Sequence, residues 1–286
     1  MGTDPPTVSA SVAIVANKSW EADPLVAVLA SPKARAPALQ WRPSSGTAGL
    51  RGFVEDGTNV AEVWCVQELM DPGANASSSQ EKVRVLAPML SRPNIKTVVA
   101  LGTASTVDVE SFNGCVVLGT NVFVHDAKPP GSPSAWRDPR FEQVVNSTLP
   151  AKVFAATTAP DFRLQVQARL LTPKLNPAKA RVLFASPRYV ALSDVNIVDY
   201  DDYYWADPET VLAFRSVEGH LPIGSLETTH GVIRLCSGTS QFMFASGITD
   251  RVGYFNFEVA PADYAQNFVA AHNAGIAIAQ MLPSLF

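Results

Sequence analysis

The chain has 286 residues, 47% hydrophobic and 17% charged, with a formal net charge of −4. That supplies material for a sizeable core and excludes a disordered chain; it also lacks the clustered Lys and Arg of a nucleic-acid or anionic-membrane surface. Cys65, Cys115 and Cys236 stand far apart in apolar runs without CxxC pairing, which argues for reduced, buried thiols rather than a disulfide frame or zinc site.

Met1 to Ser9 is polar and proline-bearing, unlike a secretory signal, and no apolar run reaches membrane-spanning length. The expectation is a cytoplasmic protein with no membrane or nucleic-acid partner. Val12 to Ala16 reads as a buried strand, followed by a helical pattern from Trp20 to Leu29. Val60 to Val66 is a second strand. Ser77-Ser78-Ser79 offers an N-cap for a helix over Gln80 to Leu90. Thr97 to Leu101 is a strand, Cys115 to Val124 a long one, and Ala180 to Ala185 and Tyr189 to Val198 two more. Phe242 to Ala245 is the last strand, and Ala262 to Met281 the clearest helix. Strands interleaved with helices predict a layered α/β domain. Proline and glycine are dense in Ala127 to Pro139, so that segment is an irregular loop, either a linker or an insertion over a site. Similar strands on both sides favour the insertion, hence a single domain over 1–286 with an irregular insertion around 127–140. Leu226 to Cys236 has strand propensity, yet Val232, Ile233 and Cys236 also fall on one helical face.

Three stretches are candidates for chemistry. Glu227 is a carboxylate in weakly charged surroundings. It is either a surface residue at a helix start or a buried group that pairs or does work. Asp250 follows the strand Phe242 to Ala245 and the small-residue run Ser246-Gly247-Ile248-Thr249. Ligands gather at the carboxyl ends of strands in open α/β sheets, although Asp also caps turns. Gly102-Thr103-Ala104-Ser105 follows a buried strand, where small residues let backbone N–H groups and hydroxyls approach an anion or a sugar; an ordinary turn reads the same way. No Gly-Lys-Ser/Thr follows, so it is not a P-loop.

Together these pieces resemble the superfamily of bacterial purine nucleoside phosphorylases and methylthioadenosine/S-adenosylhomocysteine nucleosidases. The Gly102 to Ser105 run resembles its Gly-Ser/Thr-Ala-Gly turn. Phe123-Val124-His125-Asp126-Ala127 resembles a Tyr-His-Asp-Ala-like stretch, and Leu226-Glu227 the Met-Glu start of a helix. Gly247-Ile248-Thr249-Asp250 resembles a Gly-Ile-Ser-Asp-like run, 23 residues beyond Glu227 as in the family. Trp20-Glu21-Ala22 is similar to the acidic start of the first nucleosidase helix. The resemblance spans most of the chain, with an enlarged middle over Ala127 to Lys179. It implies a three-layer α/β/α fold with a central mixed, partly barrel-like sheet, and a helix over Leu226 to Cys236. It also implies a homo-oligomer (dimer, trimer or hexamer) whose sites borrow residues from a neighbour, with the Ala127 to Pro139 loop a candidate for that contribution.

The resemblance implies cleavage of the N-glycosidic bond of a purine or related nucleoside. Asp250 then matches the general acid at the leaving base, and Glu227 the carboxylate that holds the ribose hydroxyls and stabilises oxocarbenium charge. An aromatic ring for the base falls in Tyr203-Tyr204-Trp205, with Tyr204 first; an aromatic packing cluster is the plain alternative. Gly102, Thr103, Leu226 and Thr249 are further candidates for substrate contact. His125 and His230 are candidate polar site residues or structural histidines. Phosphorolysis needs cationic clamps, and two family arginines are absent, at Ala100 and Val26. Arg51 remains, as a contribution from a neighbouring subunit. Glu21 matches the glutamate that orients the water in nucleosidases; the plain alternative is a first-turn Glu favoured by the helix dipole. Hydrolysis is therefore the first reading, with no cofactor. The alternatives are a phosphorylase using phosphate as co-substrate and a catalytically weak nucleoside-binding protein. Leu226 replaces the family methionine, Ser105-Thr106 a glycine pair, and Thr228-Thr229-His230 a run of alanines, so the substrate is open.

Overall fold

The computed structural model describes residues 9–74, 78–107, 112–127, 138–164, 181–183, 190–195, 203–260 and 265–286; the side chains of 183 and 203–205 lie outside the description. In chain order the elements are β1 (Val12–Ala16), α1 (Ser19–Ala30), β2 (Gln40–Pro43), β3 (Leu50–Asp56), β4 (Asn59–Cys65), α2 (Ser79–Leu90), β5 (Thr97–Thr106), β6 (Val116–Gly119) and β7 (Asn121–Asp126). They continue with β8 (Val144–Val145), α3 (Ala155–Thr158), β9 (Val182–Leu183), β10 (Val190–Val195), α4 (Tyr203–Glu218), β11 (Ile223–Leu226), α5 (His230–Cys236), β12 (Gln241–Arg251), α6 (Phe255–Glu258) and α7 (Ala265–Leu285).

β1 is buried along its whole length because both edges and both faces are covered. It pairs in parallel with β4 on one side and β5 on the other. Its alternate side chains enter different cores. Val12, Ile14 and Ala16 pack in a cluster with residues of α1 and α7, such as Leu25 and Ile278. Ala13 and Val15 join the opposite cluster with α2 and α5, including Leu86 and Ile233. A sheet covered by helices on both faces is a three-layer α/β/α arrangement, as expected.

The sheet has mixed pairing and partly closes on itself. From one edge the order is β2-β3-β4-β1-β5-β11-β10-β7-β8, while β12 pairs with both β5 and β6. β6 runs through Thr120 into β7, so the path β5–β12–β6/β7–β10–β11 returns to β5. This is the barrel-like part. β5 is the junction, since it outruns β1 and meets β11 at Ser105.

Several local expectations change. The predicted long strand over Cys115 to Val124 is two strands broken at Thr120, with β6 antiparallel to β12 and β7 parallel to β10. Gly102 to Ser105 is not a turn but lies within β5, and Ser246 to Thr249 lies within β12. Their small residues answer to packing rather than to chain reversal. A Cβ on Gly247 would stand 2.2 Å from the Ala270 carbonyl oxygen of α7. Leu226 closes β11, and the helix expected from Leu226 begins only at His230. Helix α2 starts as expected, with the Ser78 hydroxyl accepting from Glu81 N. Most of the Ala127 to Pro139 loop lies outside the described residues. Among the described residues, no helix is long and apolar enough to cross a membrane.

The close contact of β12 with α7 leaves no room for a methyl group. Gly247→Ala is expected to destabilise the protein by about 2–3 kcal/mol, because the clash is with backbone that cannot rotate away. A denaturant titration reads this directly, and an unchanged midpoint contradicts it.

Candidate active site

A cavity of about 550 Å³ opens at the carboxyl ends of β1, β5 and β12. That size suits a small organic molecule. Its polar lining comes mainly from Glu21, Thr103, Ser105, Asp207, Glu227 and Asp250.

β5 and β12 supply the floor. They pair in parallel, Gly247 against Thr103 and Ile248 against Ala104, and then the register slips so that Asp250 meets Ser105. Thr249 is the extra residue. In a regular strand neighbouring side chains point to opposite faces. The bulge re-aims the chain, and both Thr249 and Asp250 line the cavity. The Thr249 hydroxyl donates to Asp250 Oδ1 at 2.5 Å, and the Ser105 hydroxyl donates to Oδ2 at 3.2 Å. Burial pushes the Asp250 carboxyl up to about 7, against the two hydroxyls that favour its charge.

Glu227 lies between β11 and α5, where its Oε2 accepts from Thr229 N at 2.6 Å and His230 N at 2.7 Å. It thus closes the open N-terminal turn of α5, which explains why the helix starts late. The bonds to these two N–H groups engage Oε2 alone, and Glu227 belongs to the cavity lining. Gly102 makes the room: a Cβ there would stand 3.2 Å from Glu227 Cδ and 3.0 Å from His230 Cε1.

Glu21 enters from α1 and is almost wholly buried. Its Oε1 accepts from Thr103 N at 2.7 Å and Thr103 Oγ1 at 2.8 Å, and its Oε2 from Asn17 N and Lys18 N. Burial raises its pKa first, and the nearby Glu227 charge raises it further. Burial likewise raises Glu227, and the Lys82 ammonium opposes that rise. Lys82 is fully buried on α2, with its Nζ donating to Thr229 Oγ1 at 2.8 Å; desolvation brings it down to about 8.

The sequence-derived candidates separate into two groups. Glu21, Thr103, Leu226, Glu227, Thr249 and Asp250 all line the cavity, with Gly102 directly behind Glu227. His125 and Arg51 do not line it. His125 Nδ1 meets Glu142 Oε1 at 2.8 Å, and Arg51 is held by Asp23 at 2.9 Å and by Glu68. The Tyr204 side chain lies outside the described residues, as do those of Tyr203 and Trp205. His230 sits behind Glu227, with its Nε2 3.0 Å from Ser246 Oγ. Desolvation lowers it to about 4, so it is neutral at pH 7.

Other lining residues were not singled out from sequence. The aromatic rings are Trp20, Phe255 and Phe268, with Trp20 and Phe268 each 36% exposed at the mouth. Phe255 is carried by α6, which is pinned by buried Glu258: its carboxylate accepts from Asn113 Nδ2 at 3.0 Å, Arg251 N at 3.1 Å and Arg251 Nε at 2.6 Å. Asp207 on α4 is a fourth carboxyl in the lining. Lys82 has a signal that was available: it falls on the stripe with Leu86, Met89 and Leu90, the buried face of α2.

No family model matches the sequence, and no curated protein matches it either. Solved structures do. The chain is similar to a 5′-methylthioadenosine/S-adenosylhomocysteine nucleosidase from Colwellia psychrerythraea in complex with adenine: TM-score 0.57, 15% identity, covering 97% of this chain and 96% of that one. The corresponding nucleosidase from Neisseria meningitidis, in complex with methylthio-immucillin-A, matches at TM-score 0.55 and 15% identity over 96% and 98% of the chains. A futalosine hydrolase mutant from Helicobacter pylori matches at TM-score 0.57 and 10% identity over 96% and 100%. The chain has the fold of these nucleosidases over nearly its whole length.

A buried carboxyl raised to about 7 has a thermodynamic signature. The folded chain keeps the Asp250 proton where the unfolded chain has already lost it, so folding stability falls as pH rises from about 4 to about 7. Asp250→Asn removes that loss. The variant is expected to melt about 3–8 °C above the parent at pH 8, with the gap closing towards pH 4. Equal melting temperatures at pH 8 would contradict the buried, proton-holding state.

Proposed function

We propose that this protein is a nucleosidase, hydrolysing the N-glycosidic bond of a purine nucleoside or a related nucleoside. The observation that carries the reading is the charge of the cavity wall. Four carboxyls line it (Glu21, Asp207, Glu227 and Asp250), and among the described lining residues Lys18 is the one cation. Such a wall accepts hydrogen bonds from sugar hydroxyls and base N–H groups, and it repels a phosphate dianion. The fold shared with nucleosidases supports the same reading.

Each carboxyl then has a distinct task. Cleavage of the bond between C1′ and the base nitrogen leaves the electron pair on the base and positive charge on the sugar. Asp250, raised to about 7 and so still partly protonated near neutrality, donates its proton to the departing base. Glu227 has one oxygen committed to α5 and offers Oε1 to the ribose hydroxyls, where its charge stabilises the oxocarbenium ion. Glu21 is the candidate base for water. Three of its four partners are backbone N–H groups, so the Thr103 hydroxyl is the one that turns away to admit water at Oε1. Water oxygen joins C1′ and its proton passes to Glu21, giving free base and free sugar. Leu226 and Thr249 complete the wall around the ligand. Trp20 and Phe268 at the mouth supply flat apolar surface for a base or for a neighbouring copy. A homo-oligomer in a cytoplasmic setting belongs to the same reading, with Arg51 the residue a neighbour would lend.

Incubation with a panel of nucleosides, with and without phosphate, is the test. Free base is expected without phosphate, and Asp250→Asn is expected to lower kcat by about 10²–10⁴. Because Asp250 must hold its proton, kcat should fall as pH rises through about 7. Release that depends strictly on phosphate would make the protein a phosphorylase. Binding by calorimetry with no turnover over hours would make it a nucleoside-binding protein.

A further inference from the structure

Asp207 has no part in the mechanism above, yet it lines the same cavity and is almost wholly buried. Behind it lies Asp194 on β10, buried completely. Neither oxygen of Asp194 meets a hydrogen-bond donor among the described residues, and neither does Oδ1 of Asp207. The two carboxyls lie within hydrogen-bonding reach of each other, with no other donor to these three oxygens among the described residues. Two carboxylates in contact without water are untenable, and one shared proton resolves the conflict. Burial raises both groups, and the charge of Asp194 raises Asp207 further.

The sharing fixes what Asp207 presents to a ligand. When Asp207 holds the proton and gives it to Asp194, its other oxygen is a carbonyl acceptor. When Asp194 holds it, Asp207 is a carboxylate and again an acceptor. Asp207 belongs to the cavity wall and in either state offers an acceptor there, so a ligand that brings a donor gains a hydrogen bond that one without a donor does not. Position says which part of the ligand. The Ser105 hydroxyl, which donates to Asp250, also bears on Asp207, and the Asp250 charge is felt there. Asp207 therefore stands near Asp250, where the reading above puts the base.

Resting on that reading, we propose that Asp207, steadied by Asp194, selects the base: its carboxyl accepts a hydrogen bond from a ring N–H or exocyclic amino group, favouring heterocycles that carry such a donor. A site built around a hydrogen bond rejects the analogue that lacks it much more strongly than a greasy pocket rejects a missing methylene.

The test compares adenosine, inosine and purine riboside, the last having neither an exocyclic amino group nor a ring N–H on its six-membered ring. The parent enzyme is expected to show a kcat/KM at least about tenfold higher for the better of the first two than for purine riboside. Asp207→Leu is expected to shrink that ratio by about tenfold or more. Asp194→Asn still offers Asp207 a hydrogen bond and should keep the ratio within about threefold of the parent, a smaller change than one lost hydrogen bond produces. Purine riboside cleaved as well as the others by the parent overturns the proposal with no variant needed. So does an Asp207→Leu ratio equal to the parent's, even if overall rate falls. Base release from none of the three would instead defeat the nucleosidase reading, and this proposal with it.

Discussion

Carboxyl groups buried faster than cations can be found for them are the constraint on which this molecule turns. Glu21, Asp194, Asp207 and Asp250 come from four elements and Glu227 from the connection between β11 and α5; they converge at one end of the sheet, each almost wholly out of water. Lys82 is the fully buried cation among them, and it reaches Glu227 through Thr229 rather than by a direct ion pair. The remaining charge is managed by protons and by backbone. Glu21 and Glu227 are wrapped in N–H donors, Asp250 takes two hydroxyls, and Asp194 and Asp207 have each other. Such an arrangement holds stability in reserve against function, because every one of these groups would be cheaper to leave in water.

The architecture serves that convergence. β5 is the hinge of the sheet, belonging to the open parallel part through β1 and to the barrel-like part through β11 and β12. Residues just past the point where β1 ends are the ones that meet the cavity. Helices on both faces seal the floor, and α7 presses so closely on β12 that glycine is required at 247. Rigid strands, rather than loops, therefore set the spacing of Asp250 from Thr103 and Ser105.

Much of this was legible in the residues, and the misreadings share one cause. Val12 to Ala16, Thr97 to Leu101 and the alanine-rich C-terminal helix announce themselves by apolar runs and helical spacing, because burial on two faces demands them. Gly102 to Ser105 and Ser246 to Thr249 look like turns since small residues usually mark reversals. Here they are small because Glu227, His230 and the α7 backbone crowd the strands from outside, which no local pattern reveals. Asp207 hides for a similar reason, as an Asp near the start of a helix is ordinarily a solvated residue. Its partner Asp194 lies on a different element, so the pair exists only once β10 and α4 are packed. Arg51 and His125 carry plausible chemistry in sequence; within one chain they meet local ion-pair partners and stand off the cavity.

The bulge at Thr249 gives the site an unusual kind of fragility. Side-chain identity can drift at many places along β12 while the strand still faces its two cores. The number of residues between Gly247 and Arg251 cannot, because losing or gaining one would turn Asp250 out of the cavity and into a core with no partner for it. For a chain this far from its structural counterparts in sequence, length along one strand is thus a stricter inheritance than composition.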